Sequence, residues 1–201
     1  MNAAAAPSDI RQHLLLTAQR IMGGKGFSAV GLNEILTAAG VPKGSFYHYF
    51  DSKEGFGEAL LEAYFADYME RFEALLTKPG MTAAERLLSY FSFWLETQAS
   101  HDPEGKCLAV KLGAEVSDLS EAMRSVLDRG TQQIVERLAA CIEAAVADGS
   151  LIGERDAQSM ATALYELWLG ASLLAKITRS RRPLVSAMAT TRQFLFTPVH
   201  A

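Results

Sequence analysis

Apolar residues recur along this chain at spacings of three and four, and apolar and polar residues nowhere alternate over a sustained stretch. A period near 3.6 places such residues on one face of a helix, whereas a period of two marks a strand. The pattern predicts an all-α chain. Leu14, Ala18 and Ile21 form one stripe of a first helix, with Ser8 as its cap and Gly23, Gly24 and Gly26 as its end. A short helix is predicted over Leu32–Ala39, closed by Gly40, and Pro42 opens a third that reaches Phe50. Asp51-Ser52-Lys53-Glu54 signals a long fourth helix that ends at Pro79-Gly80. Thr82 and Glu85 have capping-box spacing for a helix to about Ser100. A turn over 101–105 precedes a short helix from Cys107 to Ala114. Ser120 and Glu121 open a long helix that carries Ile134, Leu138, Cys141, Ile142 and Ala145 on one stripe and stops at Gly149. Asp156 caps the next, to about Ser180, and Pro183 starts the last.

The most informative stretch runs from Gly31 to Phe50, GLNEILTAAGVPKGSFYHYF. Two short helices joined by a tight Gly40-Val41-Pro42 turn have the form of a helix-turn-helix. Ile35, Ala38, Val41, Phe46 and Phe50 are its apolar set, and Phe46 and Phe50, four apart, share one face. The opposite face offers Lys43, Ser45, Tyr47 and His48, donors suited to phosphates and base edges in a major groove. Gly44 allows close approach to DNA, and the free N–H groups at the helix start favour phosphate. A helical hairpin whose aromatics all belong to the core is the competing reading of the same spacing.

Residues from about Leu14 to Phe56, and above all the string AAGVPKGSFYHYFDSKEGF, resemble the N-terminal domain of TetR-family repressors. That resemblance implies a three-helix DNA-binding domain over 1–52 and a helical sensing and dimerisation domain over 53–201. It also implies operator DNA as partner, with repression relieved by a small-molecule inducer. The positions it assigns to DNA, mostly to its backbone, are Lys43, Ser45, Tyr47, His48 and Lys53, with Tyr49 open to a structural role. The sequence departs from the family at Gly31, where Thr is frequent; a glycine cap forfeits a side-chain hydrogen bond, for which Ser28 or Asn33 are candidate substitutes.

Charge fits this division. The net charge is −4, but residues 1–53 carry five Lys/Arg against three Asp/Glu, and the remainder 14 against 20. A mildly basic head on an acidic body suits a DNA binder. The two cysteines form neither a metal-ligand pattern nor a disulfide framework, which suits a reducing cytoplasm. No secretory signal is read at the N-terminus. The most apolar stretch, Ala157 to Ala175, carries Glu166 near its middle and is read as a buried helix, not a membrane span. No cofactor or metal site is expected.

Residues 105–124 and 163–180 resemble a TetR subgroup that responds to reactive electrophiles and oxidants. A sensor thiol must ionise, and free cysteine titrates at about 8.5. Cys107 follows Gly105 and Lys106 at an expected helix N-terminus, with Lys111 one turn on, a setting expected to lower its pKa. The bland alternative is a core thiol. Cys141, beside Leu138 and Ile142, reads as a buried small hydrophobe. Lys176 interrupts an apolar helix; it either faces Cys107, or snorkels to the domain edge, or pairs with Glu115 or Asp118. The short helix around Cys107 is expected to touch the base of the fourth helix.

A homodimer through the last two helices is expected. Ala161, Ala163, Gly170 and Ala171 would permit close approach, and Trp168, Leu169 and Leu173 would supply area. The same face packing within one chain is the alternative. Two rival functions stand beside the electrophile sensor. One is a TetR-type repressor with a non-covalent ligand held by Tyr90, Phe91, Phe93, Trp94, Tyr165 and Trp168. The other is a cysteine-dependent enzyme using Cys107 and His101, a pair without a recognisable nucleophile motif.

Overall fold

The computed structural model describes residues 7–100, 107–153 and 156–196. Among these the chain forms helices only: α1 (Pro7–Lys25), α2 (Leu32–Ala39), α3 (Lys43–Tyr49), α4 (Lys53–Leu76), α5 (Ala83–Ala99), α6 (Leu108–Leu119), α7 (Glu121–Ala147), α8 (Ala157–Thr178) and α9 (Arg182–Phe196).

Most boundaries have a local chemical cause. Gly40 closes α2 in the left-handed conformation, φ 64°, and its N–H reaches the carbonyls of Leu36 and Thr37; a side chain there would be strained. Ser52 Oγ accepts the Gly55 N–H at 2.9 Å and so caps α4. Thr82 and Glu85 close the expected capping box at the start of α5. Ser120 Oγ accepts the Met123 N–H at 3.3 Å at the start of α7. The Asp156 carboxylate accepts the Ser159 N–H at 3.0 Å at the start of α8. Each such cap stabilises a helix by about 1 kcal/mol.

Three helices differ in their bounds from the sequence reading. α1 begins at Pro7, so Ser8 lies inside its first turn, and it continues through Gly23 and Gly24 to Lys25. A glycine costs a helix only about 1 kcal/mol; the break comes at Gly26, whose φ is 101°. α4 stops at Leu76, before Pro79-Gly80. α6 runs past Ala114 to Leu119, because Leu108, Leu112 and Val116 continue one buried stripe. The 101–105 turn lies outside the described residues.

The helices divide into two compact units. The first joins residues 1–66 to 106–130. Its core gathers Leu14, Ala18, Met22, Phe27, Ile35, Phe46, Phe56 and Leu60 with Leu112, Val116 and Met123. The rings of Phe46, Phe50 and Phe56 lie 4.8–5.2 Å apart. Two glycines permit close helix approach. A methyl at Gly57 of α4 would come within 2.5 Å of Met123 Sδ and 2.6 Å of the Phe27 ring, and one at Gly130 of α7 would overlap the Phe65 ring.

The second unit joins residues 67–105 to 131–201. Ile134, Leu138, Ile142 and Ala145 of α7 are buried, as their spacing predicts. Trp168 of α8 stacks on Phe91 of α5 with centroids 5.2 Å apart and donates through Nε1 to Thr191 Oγ1 of α9 at 2.9 Å. Trp94 donates to Ser172 Oγ at 3.0 Å, and that hydroxyl donates to the Trp168 carbonyl. Trp168, Ala161 and Ala171 therefore serve the interior of this unit and not a partner surface, because both indoles find their polar partners there. Arg137 grips Glu73 through Nε and Nη2.

Candidate functional site

The two helices α2 and α3 are set by a turn in which the Val41 N–H donates to the Leu36 carbonyl at 3.0 Å. Phe46 is fully buried and holds α3 against the first unit. Its burial turns the other face of α3 outward: Lys43, Gly44, Tyr47 and His48 are exposed and Ser45 is half-buried. Tyr49 is half-buried, its ring edge-on to His48. Within the apolar set, Ala38 is exposed and Leu36 takes the buried place beside Ile35. The motif is braced from α1. Lys25 pairs with Glu34 at 2.6 Å, His13 Nε2 lies 3.0 Å from the Ala39 carbonyl, and the Arg11 guanidinium sits over the Phe50 ring.

Lys53 is placed differently from the other sequence-predicted DNA contacts. Its ammonium donates to the Phe27 carbonyl at 3.0 Å and stands 4.7 Å from the centre of that ring. It holds the loop between α1 and α2 from below. α2 begins, at its N-cap Gly31, without a side-chain cap bond. Ser28 is engaged elsewhere. Its N–H donates to Glu115 Oε1 at 2.6 Å, and the Phe27 N–H donates to Glu115 Oε2 at 3.1 Å.

Cys107 is the N-cap residue of α6, as its position suggests, but it is buried. Loss of hydration pushes its thiol above the ordinary value; hydrogen bonds with Val110, Tyr64 and Ala109 oppose that shift without reversing it. The expectation of a lowered pKa is thus overturned. The cation invoked for it is also turned away: Lys111 Nζ donates to the Gly24 carbonyl at 2.9 Å, at the end of α1. Lys106 and His101 lie outside the described residues. Cys141 is buried on the inner stripe of α7 with Sγ 3.6 Å from the Ala83 carbonyl, and burial pushes it up to about 11. Lys176 is exposed on α8. Glu115, an expected partner for Lys176, is taken by the Phe27 and Ser28 N–H groups.

The six aromatics suggested for a ligand pocket divide. Tyr90, Phe91, Trp94, Tyr165 and Trp168 pack against one another with centroids 5.0–5.8 Å apart, while Phe93 is exposed. Among the described residues, no cluster of three or more His, Cys, Asp or Glu is placed to hold a metal ion. No described helix is long and apolar enough to cross a membrane.

Comparison with known proteins agrees with this geometry. Residues 14–60 match the family described as bacterial regulatory proteins, tetR family, and residues 83–191 match the tetracyclin repressor-like C-terminal domain. The chain is 43% identical over 190 residues to the HTH-type transcriptional repressor NemR of Escherichia coli K12, covering 94% of this chain and 96% of that one. It is 35% identical over 179 residues to the HTH-type transcriptional repressor DhaR of Mycobacterium sp. strain GP1, covering 89% and 88%. The crystal structure of E. coli NemR in its reduced form superposes with a TM-score of 0.88, covering 96% of this chain and all of the other.

Proposed function

Because the chain belongs to the TetR family of bacterial regulatory proteins, we propose that it is a dimeric transcriptional repressor released from its operator when an electrophile or oxidant modifies Cys107. The observation that carries the repressor half is the outward face of α3. Burial of Phe46 leaves Lys43, Gly44, Tyr47 and His48 exposed along one short helix. In the proposed roles Lys43, Ser45, Tyr47 and His48 meet phosphates and base edges, and Gly44 lets the helix start approach the duplex. Lys53 contributes mainly by fixing the α1–α2 loop. Residues 1–52 read DNA and 53–201 sense and dimerise.

The sensing half rests on where Cys107 lies and on the likeness of residues 105–124 and 163–180 to the electrophile-responsive subgroup. The thiol shares a hydrogen bond with Tyr64 of α4, the helix that follows directly on α3. An adduct there has to displace packed neighbours, which biases α4 and the reading helices it carries. Addition of the thiolate across the double bond of N-ethylmaleimide forms a thioether, and the maleimide takes up a proton. Hypochlorous acid converts the thiol to a sulfenic acid with release of chloride and a proton. About 2.7 kcal/mol of difference between the two states accounts for 100-fold induction.

Burial of Cys107 favours one second reading, a TetR-type repressor induced by a non-covalent apolar ligand. A duplex selected by the protein from a randomised library separates the possibilities. The selected sequence should be pseudo-palindromic, and N-ethylmaleimide should release it. A protein that selects no sequence is not this repressor; one that selects a sequence and ignores thiol reagents supports the second reading.

A further inference from the structure

Lys111 and Glu115 lie one turn apart on α6, and both reach the junction between α1 and α2. The end of α1 exposes carbonyls with no intrahelical partner, and the loop after it exposes N–H groups. Opposite charges meet each. The Lys111 ammonium takes the Gly24 carbonyl at 2.9 Å, and the Glu115 carboxylate takes the successive N–H groups of Phe27 and Ser28 at 3.1 and 2.6 Å. Successive N–H groups converging on one anion form a nest. The loop is shaped to it: Gly26, at φ 101°, lies so close that a methyl there would stand 3.0 Å from Glu115 Oε2. The Phe27 peptide is held from its other side as well, since its carbonyl accepts from Lys53 of α4 at 3.0 Å. Desolvation pushes the Glu115 carboxyl up, but the Ser28 hydroxyl and N–H, the Phe27 N–H and Lys111 outweigh this and hold it below its ordinary value.

Resting on the repressor reading above, we propose that Glu115 is the positioning residue that latches the helix-turn-helix to α6. The same helix carries Cys107 at its N-cap and Glu115 two turns later. A displacement of α6 at Cys107 therefore reaches the loop between α1 and α2 through two charge-assisted hydrogen bonds. This route runs beside the one through Tyr64 and α4, and it acts on α1, which braces the reading helices from behind. The latch holds the DNA-competent pose while the thiol is unmodified. Exposed residues of α3 remain unchanged when it opens; only their placement shifts.

Glu115→Ala and Glu115→Gln test this in the full-length protein, with the selected duplex as probe. Glu115→Ala should bind that duplex at least about tenfold more weakly, a loss of about 1.4 kcal/mol. Glu115→Gln, which keeps an acceptor of the same shape, should lie between it and wild type. Amide hydrogen exchange at Phe27 and Ser28 should speed up in both variants while the amides of the α2 and α3 interiors keep their protection. If Glu115→Ala does not fold, Ser28→Ala, which removes only the hydroxyl, should weaken binding about threefold. Unchanged affinity with unchanged exchange at Phe27 and Ser28 overturns the latch. Alkylation by N-ethylmaleimide supplies a separate arm. Wild type should release the duplex, and the ratio of affinities before and after alkylation should collapse at least fivefold in Glu115→Ala. A wild type that ignores alkylation contradicts the Cys107 trigger, while affinity and exchange in the variants still decide the latch.

Discussion

Tyr64 of α4 and Cys107 at the N-cap of α6 share a hydrogen bond in the interior of the first unit, where both residues are buried. The thiol thus sits where modification must disturb packing, and where water does little to stabilise its ionised form. Hydrogen bonding partly offsets that loss of hydration. A net contribution of about 1 kcal/mol is roughly a fivefold change in ionised fraction. Tyr64→Phe should slow the reaction of Cys107 with N-ethylmaleimide at neutral pH about fivefold. In wild type the rate should still be climbing, about tenfold per pH unit, from neutrality to about pH 9. Peptide mass spectrometry of quenched samples reads both, and a plateau near neutrality would show a depressed thiol pKa instead.

The glycines offer opposite signs from one substitution. Gly24 of α1 has nothing within 4 Å of an added methyl, so Gly24→Ala should stabilise by about 0.4–1 kcal/mol through helix propensity and unfolded-state entropy. Gly57→Ala and Gly130→Ala drive a methyl into Met123 and Phe27, and into Phe65. Overpacking should cost about 1–3 kcal/mol, more than propensity returns. Chemical denaturation measures all three, and a stabilised Gly130→Ala would mean that α4 and α7 do not approach as described.

Lys43 and Lys53 should separate in DNA binding. Lys43 is exposed, and Lys43→Ala should weaken binding to every duplex, lower the salt slope by about 1 and leave thermal stability unchanged. Tyr47→Ala should also weaken binding regardless of sequence. Lys53→Ala removes the ammonium that holds the Phe27 carbonyl and stacks on its ring, so it should lower the melting temperature as well as the affinity. Affinity titrations at several salt concentrations, paired with calorimetry, distinguish the two lysines. Equal melting temperatures for Lys53→Ala and wild type would return Lys53 to a plain phosphate contact.

Much of the fold was legible because its signals are local. Thr82 and Glu85 sit three residues apart, Gly40 closes the helix it ends, and the α7 stripe repeats every three or four residues. The reading face of α3 was equally legible, since burying Phe46 determines which way Lys43, Tyr47 and His48 turn. Glu115 carried no such signal. It is one acid on a helix surface, and its partners lie 87 and 88 residues away. The raised thiol of Cys107 is hidden from sequence for a related reason: a helix N-terminus and a nearby lysine are visible there, whereas desolvation depends on which side chains pack over the thiol. Trp168 stays open between a partner surface and the core in sequence, because an apolar stripe does not reveal whether it faces its own chain or another.

With Trp168 turned inward, the surface proposed for dimerisation keeps Leu173 and extends over other residues of α8 and α9. Leu173, Leu174, Ile177, Val185 and Phe194 are exposed large apolar groups, and Ile177 retains 67% of its accessibility. Five such residues on two sequential helices suit a self-complementary contact. Leu174→Glu and Phe194→Glu should each shift the protein toward monomer in sedimentation velocity and weaken binding to the selected duplex at least tenfold. Monomeric behaviour of wild type at micromolar concentration would remove the dimer from this account.

Release from DNA through Cys107 and not Cys141 is what sets the proposed mechanism apart. Its most direct measurement is fluorescence anisotropy of the labelled selected duplex, titrated with N-ethylmaleimide against wild type, Cys107→Ser and Cys141→Ser. Wild type and Cys141→Ser should release the duplex as Cys107 is alkylated, while Cys107→Ser stays bound throughout. Release of the duplex by Cys107→Ser at the wild-type reagent concentration, or retention by wild type after Cys107 is fully alkylated, would contradict it.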